Sequence, residues 1–160
     1  MFSAVTFETR GNIGIITLRN PPVNGLSFAV RRALADCVDQ ALAAPGVEAI
    51  VITGSGTMFS AGADIREHGI PPPPDTPVLP NVITQIEDSL RPVVAAIHGT
   101  AAGGGLEVAL GCHYRLATPN TRLGLPEATL GFVPGAGGTQ RLPRLIGAKR
   151  ALEMIVTGTL

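Results

Sequence analysis

The chain has little of what several classes of protein require. Twelve Lys and Arg residues balance twelve Asp and Glu residues, so the formal net charge of the 160 residues is zero. A balanced charge leaves no electrostatic footprint for nucleic acid or for an anionic membrane. No uninterrupted apolar run approaches the roughly 20 residues that a membrane-spanning helix needs. The sequence therefore predicts no nucleic-acid partner and no membrane partner.

Cysteine is also scarce, with only Cys37 and Cys112 present. Both lie in apolar stretches with helical spacing, which favours buried reduced thiols over a disulfide or a pair of metal ligands. Reduced thiols are typical of a reducing compartment, so we expect a cytoplasmic protein. No cluster of metal ligands and no nucleophile with a neighbouring base is present, so we expect no metal site.

Strand and helix patterns alternate along the chain, which predicts an α/β fold. The chain is long enough to bury a sizeable core, and nothing in it marks a domain boundary, so residues 1–160 are expected to form one domain. A turn at residues 10–12 would join the first two strands into a hairpin. The predicted strands cover residues 4–7, 13–18, 49–53 and 93–97, and the predicted helices cover residues 27–44, 81–90, 106–111 and 149–156.

Six prolines fall within residues 70–80. Because proline is excluded from the interior of a helix, this segment is predicted to be an extended, solvated insertion. The apolar spacing of Val82, Ile83, Ile86 and Leu90 then indicates a helix that returns the chain to the core.

Two glycine-rich runs carry the strongest chemical signal. Residues 60–64 (Ser-Ala-Gly-Ala-Asp) and 103–107 (Gly-Gly-Gly-Leu-Glu) each expose backbone N–H groups beside an acidic side chain. Two such loops facing each other would form an oxyanion hole, and Glu127 supplies a further carboxylate. The pattern predicts stabilisation of a developing negative charge, with proton transfer between Glu107 and Glu127.

Each of these features also has a simpler interpretation. The glycines would merely allow close packing of a strand and a helix, and Glu107 would form a surface salt bridge. Glu127 would cap the short turn at residues 128–130. Asp64 is predicted to cap the next helix rather than to transfer protons.

Other catalytic motifs fail on spacing. Gly135 to Gly138 begins like a dinucleotide-binding fingerprint, but Gln140 stands where the third glycine belongs. Met58 stands where a hydrolase elbow around Ser60 would need glycine. His68, His98 and His113 are isolated from one another and lack a Ser or Cys at nucleophile spacing. The basic residues Arg141, Arg144, Lys149 and Arg150 are expected on a solvated helix face, with one or two of them within reach of nucleotide phosphates.

Several ordered blocks give the chain a family resemblance. Residues 59–65 (FSAGADI), 96–100 (AIHGT) and 134–142 (PGAGGTQRL) resemble the crotonase superfamily, and specifically the enoyl-CoA hydratases. Residues 105–115 (GLEVALGCHYR) resemble the hydratase part of multifunctional fatty-acid oxidation enzymes. The resemblance extends from about residue 7 to residue 160.

For the fold, the resemblance implies a crotonase-like spiral of ββα units within a single core domain. Relatives continue beyond the region that matches residues 149–160, with helices that cover the acyl pocket and build the oligomer. We therefore expect a domain truncated at its C-terminus. In the family the assembly is a homo-oligomer, a trimer or hexamer, which truncation would alter.

For the activity, the resemblance implies hydration of a trans-2-enoyl-CoA to a 3-hydroxyacyl-CoA in fatty-acid β-oxidation. Two glutamates favour hydration, because isomerases of the superfamily typically keep only the acid at the position of Glu127. The alternatives are a Δ3,Δ2-enoyl-CoA isomerase and an acyl-CoA-binding fragment without turnover. The substrate is an acyl-CoA thioester, in which coenzyme A is part of the substrate, so no separate cofactor is expected.

The resemblance also assigns roles to individual residues. The N–H groups of Ala61 and Gly104 would hold the thioester oxygen. Glu107 would activate water at the β-carbon, and Glu127 would deliver a proton to the α-carbon. The residues expected to line the binding site of the CoA moiety are Val23, Leu26, Ala63, Asp64 and Ile65.

Overall fold

The computed structural model describes residues 4–160, and its framework is a five-stranded sheet. The strands are β1 (Val5–Arg10), β2 (Ile13–Leu18), β3 (Ala49–Gly54), β4 (Val93–Ile97), β5 (Thr100–Ala102), β6 (Tyr114–Ala117) and β7 (Arg122–Gly124). The main sheet has the order β1-β2-β3-β4-β6, and β5 pairs with β7 in a separate two-stranded sheet. Strands β1 and β2 form the predicted antiparallel hairpin, and the other pairs are parallel.

Five helices accompany the sheets. They are α1 (Phe28–Ala43), α2 (Leu79–Glu87), α3 (Gly104–Gly111), α4 (Gly138–Ile146) and α5 (Ala148–Thr157), and two short 3₁₀ helices cover Ile65–Glu67 and Pro126–Leu130. Helix α1 packs against β1 and β2, α2 packs against α1 and α3, and α4 packs against α3 and α5. The predicted α/β architecture is therefore confirmed.

Helix α1 illustrates how the sequence pattern becomes packing. Ser27 is its N-cap, with the side-chain oxygen accepting from the N–H of Val30, as serine commonly does at this position. Val30 and Leu34 are fully buried, and so is Ile16 of β2, one of the strands on which the helix packs. At the C-terminal end the core residue is Ala41, whereas the neighbouring Leu42 is only half-buried.

The boundaries of α2 differ from the prediction. The helix begins at Leu79, two residues before the predicted start, and carries Pro80 in its first turn. Proline is tolerated there because the first N–H groups of a helix have no intrahelical acceptor. The helix ends at Glu87, and the side chain of Leu90 is fully exposed. The prediction that Leu90 packs on the core is wrong, whereas residues 70–78 contain neither helix nor strand, as predicted.

The sheet brings the two glycine-rich runs together. Strands β3 and β4 are parallel neighbours, so the segments that follow them leave the same edge. The N–H of Ser60 donates to the carbonyl of Thr100 over 3.1 Å, and the N–H of Ala102 donates to the carbonyl of Ser60 over 2.9 Å. Helix α3 then starts at Gly104 and is buried along its whole length.

Both cysteines are buried and free, as predicted. Burial raises the pKa of the Cys112 thiol to about 12, and burial also raises the pKa of Cys37. Among residues 4–160, no group of three or more His, Cys, Asp or Glu side chains is arranged to hold a metal ion. Within the same residues, every helix is too short or too polar to span a bilayer.

Close packing between α3 and Ser60 gives a stability prediction. A Cβ atom on Gly105 would lie 2.6 Å from the Ser60 carbonyl oxygen and 2.7 Å from its Cβ. Such overpacking costs about 2 kcal/mol, which corresponds to a fall in Tm of about 6 °C for a chain of this size. We therefore expect Gly105→Ala to lower the Tm by this amount in a thermal melt followed by circular dichroism.

The matched control is Gly135→Ala, because a Cβ atom there would meet nothing closer than the Val133 carbonyl oxygen at 3.8 Å. This control should melt within about 2 °C of the wild type, the shift that ordinary surface substitutions produce. Equal Tm values for the two variants would contradict the packing argument.

Candidate active site

A cavity of about 640 Å³ opens where the two glycine-rich loops meet. The structure brings most of the predicted site residues to its wall. Val23 is the exception among them: it lies outside the wall, with 39% of its surface exposed. The predicted residues that do line the cavity are Leu26, Ala61, Ala63, Asp64, Ile65, Gly104, Glu107 and Glu127.

The backbone of Ala61 is already engaged within the protein. Its N–H donates to the carbonyl oxygen of Val23 over 2.9 Å, and the N–H of Leu26 donates to the carbonyl of Gly62 over 2.8 Å. These two bonds hold residues 61–62 of the loop against residues 23–26, which precede α1. A donor that is used in this way is not available to a ligand, so the prediction that Ala61 supplies an oxyanion donor is wrong.

The N–H of Ala63 is the available donor in this loop. Among the described residues it has no acceptor, and the same holds for the N–H of Gly104 at the start of α3. The two backbones are close, since a Cβ atom on Gly104 would lie 3.5 Å from the Ala63 nitrogen. Both residues line the cavity. Two adjacent N–H groups facing a cavity are a suitable site for a negatively charged oxygen.

Gly62 is required for this close approach. Its φ of +96° lies in the left-handed region, which side chains rarely adopt. A Cβ atom there would lie 2.7 Å from the Ala102 carbonyl oxygen and 3.0 Å from the Gly104 nitrogen. Any side chain at position 62 would therefore push the two donor loops apart.

Glu107 is a buried carboxylate with dedicated donors. It projects from the first turn of α3 and is only 3% exposed. Its Oε1 accepts the N–H groups of Ala136 and Gly138, both over 2.8 Å. These bonds offset the desolvation of the charged group. The alternative of a surface salt bridge is therefore wrong.

Glu127 lies beside the residue that precedes α3, since a Cβ atom on Gly103 would lie 3.1 Å from its Oε1, and it belongs to the 3₁₀ helix Pro126–Leu130. Its Oε2 is buried and has no hydrogen-bond partner among residues 4–160. Burial raises the pKa of this carboxyl, and the nearby charge of Glu107 raises it further. A hydrogen bond to its own backbone offsets part of this rise in pKa. The cavity thus contains one carboxyl group that accepts two backbone N–H groups and one whose raised pKa favours the protonated form.

Asp64 has a different role. It caps the 3₁₀ helix Ile65–Glu67, as predicted, with Oδ1 accepting the N–H of Arg66 over 3.1 Å. Both of its oxygens also bind the Arg66 guanidinium, over 2.9 and 2.6 Å. These hydrogen bonds lower the pKa of Asp64 to about 2. A carboxylate held in this way is poorly suited to exchange protons.

Three groups that the sequence did not single out also shape the cavity wall. The carboxylate of Glu67 accepts the N–H of Phe28 over 2.8 and 3.0 Å and lies 3.6 Å from the Arg31 guanidinium. The guanidinium carbon is 4.7 Å from the centre of the Phe28 ring. These partners lie 36 to 39 residues apart in the sequence (67 − 31 and 67 − 28). No local pattern could have shown that they meet.

Arg141 also departs from its predicted place on a solvated helix face. It forms an ion pair with Glu87, and its side chain is only 20% exposed. Arg144, Lys149 and Arg150 are exposed, as predicted. Arg141 is therefore not available to a nucleotide phosphate.

Comparison with known proteins agrees with this geometry. Residues 8–160 match the model of the protein family described as Enoyl-CoA hydratase/isomerase. A peroxisomal bifunctional enzyme of Danio rerio is 56% identical over 149 residues, which are 92% of this chain and 20% of the relative. A probable enoyl-CoA hydratase of Bacillus subtilis (strain 168) is 43% identical over 161 residues, which are 98% of this chain and 62% of the relative.

A solved structure confirms the fold. The crystal structure of an enoyl-CoA hydratase from Bacillus anthracis superposes with a TM-score of 0.87 at 36% identity, over 96% of this chain and 62% of that chain. The expected crotonase-like architecture and the resemblance to hydratases and multifunctional enzymes are thus confirmed. The chain spans about a fifth of the multifunctional relatives and just under two thirds of the single-activity relative.

The raised pKa of the half-buried Glu127 carboxyl leads to a prediction about stability and pH. The folded-state pKa of Glu127 lies above its ordinary value of 4.5. The stability that this carboxyl contributes is therefore full below pH 4.5 and is lost as the pH rises through the raised folded-state pKa. We expect Glu127→Gln to raise the Tm at neutral pH by about 3 °C, the shift that about 1 kcal/mol gives in a chain of this size.

Melts of wild type and Glu127→Gln should be recorded at intervals from pH 4 to pH 8. The difference in Tm should grow with pH. Glu153→Gln is the control, because Glu153 is exposed on α5 and should show no such trend. A difference that shrinks as the pH rises would contradict the argument.

Proposed function

The chain belongs to the enoyl-CoA hydratase/isomerase family, and on that premise we propose that it hydrates a trans-2-enoyl-CoA to a 3-hydroxyacyl-CoA in fatty-acid β-oxidation. The observation that carries the proposal is the pair of carboxyl groups with unlike environments in the wall of one cavity near the α3 N-terminus. Glu107 is held by two backbone N–H groups, and Glu127 has a raised pKa in the same cavity.

The thioester oxygen would lie between the N–H groups of Ala63 and Gly104. Addition of water at the β-carbon places negative charge on this oxygen, and preorganised donors stabilise that charge. The N-terminal end of α3 adds a favourable potential, because the helix dipole is positive there. In the proposal Ala63 replaces Ala61 as the donor from the first loop.

The two carboxyl groups would divide the proton transfers. Glu107 would take a proton from the water whose oxygen bonds to the β-carbon. Glu127, which retains its proton more readily, would donate that proton to the α-carbon. Each turnover then leaves Glu107 protonated and Glu127 ionised, so a proton must pass from one to the other before the next cycle.

The CoA moiety would lie along Leu26, Ala63, Asp64 and Ile65, which line one side of the cavity. The side chain of Ile65 is 74% exposed, which places an apolar surface where the ligand would enter. Apart from the acyl-CoA thioester, the proposal includes no cofactor or metal. In the proposal residues 1–160 form one core domain, and the homo-oligomer and the cytoplasmic location stay predictions.

Substitution of the two acids tests the reaction. Removal of a general acid or base commonly lowers a rate by about a hundredfold. We expect Glu107→Gln and Glu127→Gln each to reduce the hydration of crotonyl-CoA at least that much, while Glu153→Gln retains full activity. The measurement is the loss of enoyl absorbance at saturating substrate.

Two outcomes would count against hydration. A wild-type chain that converts a 3-enoyl-CoA to the 2-enoyl-CoA but adds no water would identify an isomerase. A chain that binds crotonyl-CoA without turnover would identify a binding fragment.

The assignment of the oxyanion donor is tested by replacing one backbone N–H with an ester oxygen. Replacement of Ala63 by the corresponding α-hydroxy acid removes its N–H without altering the side chain. We expect the turnover rate to fall by about 10²- to 10³-fold, the usual effect of losing one such donor.

The same replacement at Ala61 is the matched control, because it removes the bond to Val23 instead. This variant should lose thermal stability but keep a turnover rate within about threefold of wild type. Such a change is small compared with the rate loss expected when an oxyanion donor is removed. A larger rate loss at position 61 than at position 63 would restore Ala61 as the donor.

A further inference from the structure

Arg141 joins two parts of the protein that flank the cavity. Its Nε and one terminal nitrogen bind the two carboxylate oxygens of Glu87, over 3.1 and 2.5 Å. Its other terminal nitrogen donates to the carbonyl oxygen of Ala136 over 3.0 Å. One guanidinium therefore connects the end of α2 to the loop that precedes α4.

The same loop holds Glu107. The N–H of Ala136 donates to Glu107 Oε1, and so does the N–H of Gly138, two residues further along. Arg141 thus binds the carbonyl oxygen of Ala136, and the N–H of the same residue binds the buried carboxylate of Glu107. The orientation of these N–H groups depends on what holds the loop in place.

The backbone at Gly137 makes room for this contact. Its φ is +96°, and a Cβ atom there would lie 2.1 Å from the Arg141 terminal nitrogen. The guanidinium therefore rests directly against the loop. A side chain at position 137 would displace it.

The charges around the Arg141 guanidinium support a fixed orientation of this group. Hydrogen bonding to Glu87 is the main cause of the raised pKa of Arg141, and the nearby Glu107 contributes in the same direction. Both guanidinium–carboxylate bonds are present, which fixes orientation as well as distance. Arg144, one turn further along α4, is exposed, and among residues 4–160 its side chain binds only the Gln140 carbonyl of its own helix.

We propose that the Arg141–Glu87 pair is a positioning element for Glu107. The guanidinium fixes the Ala136 carbonyl and thereby aims the two N–H groups that hold the carboxylate. The effect on turnover rests on the proposed hydration, whereas the effect on the loop does not. Arg141 touches neither substrate nor reacting atoms in this scheme.

Amide hydrogen exchange of the 160-residue chain tests the structural step without any assay of activity. In Arg141→Met we expect the Ala136 and Gly138 amides to exchange at least about tenfold faster, while amides of β2 and β3 keep their wild-type rates. Arg141→Lys should speed the exchange of the same two amides by a smaller factor. A lysine ammonium keeps the charge but lacks the planar set of donors that binds Glu87 and the loop at the same time. Arg144→Met is the matched control and should leave both amides unchanged.

Kinetics test whether the loop acts through Glu107. We expect Arg141→Met to lower kcat about tenfold with KM within about twofold, since small misplacement of a catalytic group slows chemistry more than binding. In a Glu107→Gln background the same substitution should cause no further loss. A loss that persists in that background would show a general structural role and would overturn the proposal.

The two hypotheses fail in different ways. Absence of hydration in the wild type would refute the proposed function, and the exchange rates would still decide the role of Arg141. Unchanged exchange of the Ala136 and Gly138 amides in Arg141→Met would refute the positioning role even in an active hydratase.

Discussion

Burial of the Glu107 carboxylate constrains the rest of the site. A charged group with 3% of its surface exposed is strongly destabilising unless donors surround it. The donors come from Ala136 and Gly138, so the loop between the 3₁₀ helix Pro126–Leu130 and α4 must close over α3. Close packing around α3, where Gly105 contacts Ser60, holds the carboxylate in place.

The cavity contains two glutamate side chains whose hydrogen bonding differs. Glu107 receives two hydrogen bonds from the backbone, whereas Glu127 has a raised pKa and a buried oxygen that finds no partner in the described part of the chain. Asp64 is neutralised by Arg66 and serves as a helix cap. These three acids therefore have three different environments in a wall that also includes Glu67, and of the three only Glu107 and Glu127 are suited to exchange protons with a ligand.

Much of the secondary structure could be predicted because it depends on local patterns. The alternation in β2 and β3, the Ser27 cap and the apolar face of α1 all act within a few residues. The errors have local causes too: Pro80 is compatible with a first helical turn, and Leu90 follows the last turn of α2. Glu107 and Glu127 were identified because acids beside glycine-rich or apolar segments are unusual.

The sequence by itself determined the fold class, the family resemblance and eight of the residues that line the cavity. The tertiary structure decided which N–H groups are available. Ala61 and Ala63 stand two residues apart with the same side chain, and only the contact with Val23 distinguishes them. It also decided that Arg141 binds Glu87, 54 residues away. Hydrogen bonds between distant segments depend on how the chain packs, and local sequence carries no record of them.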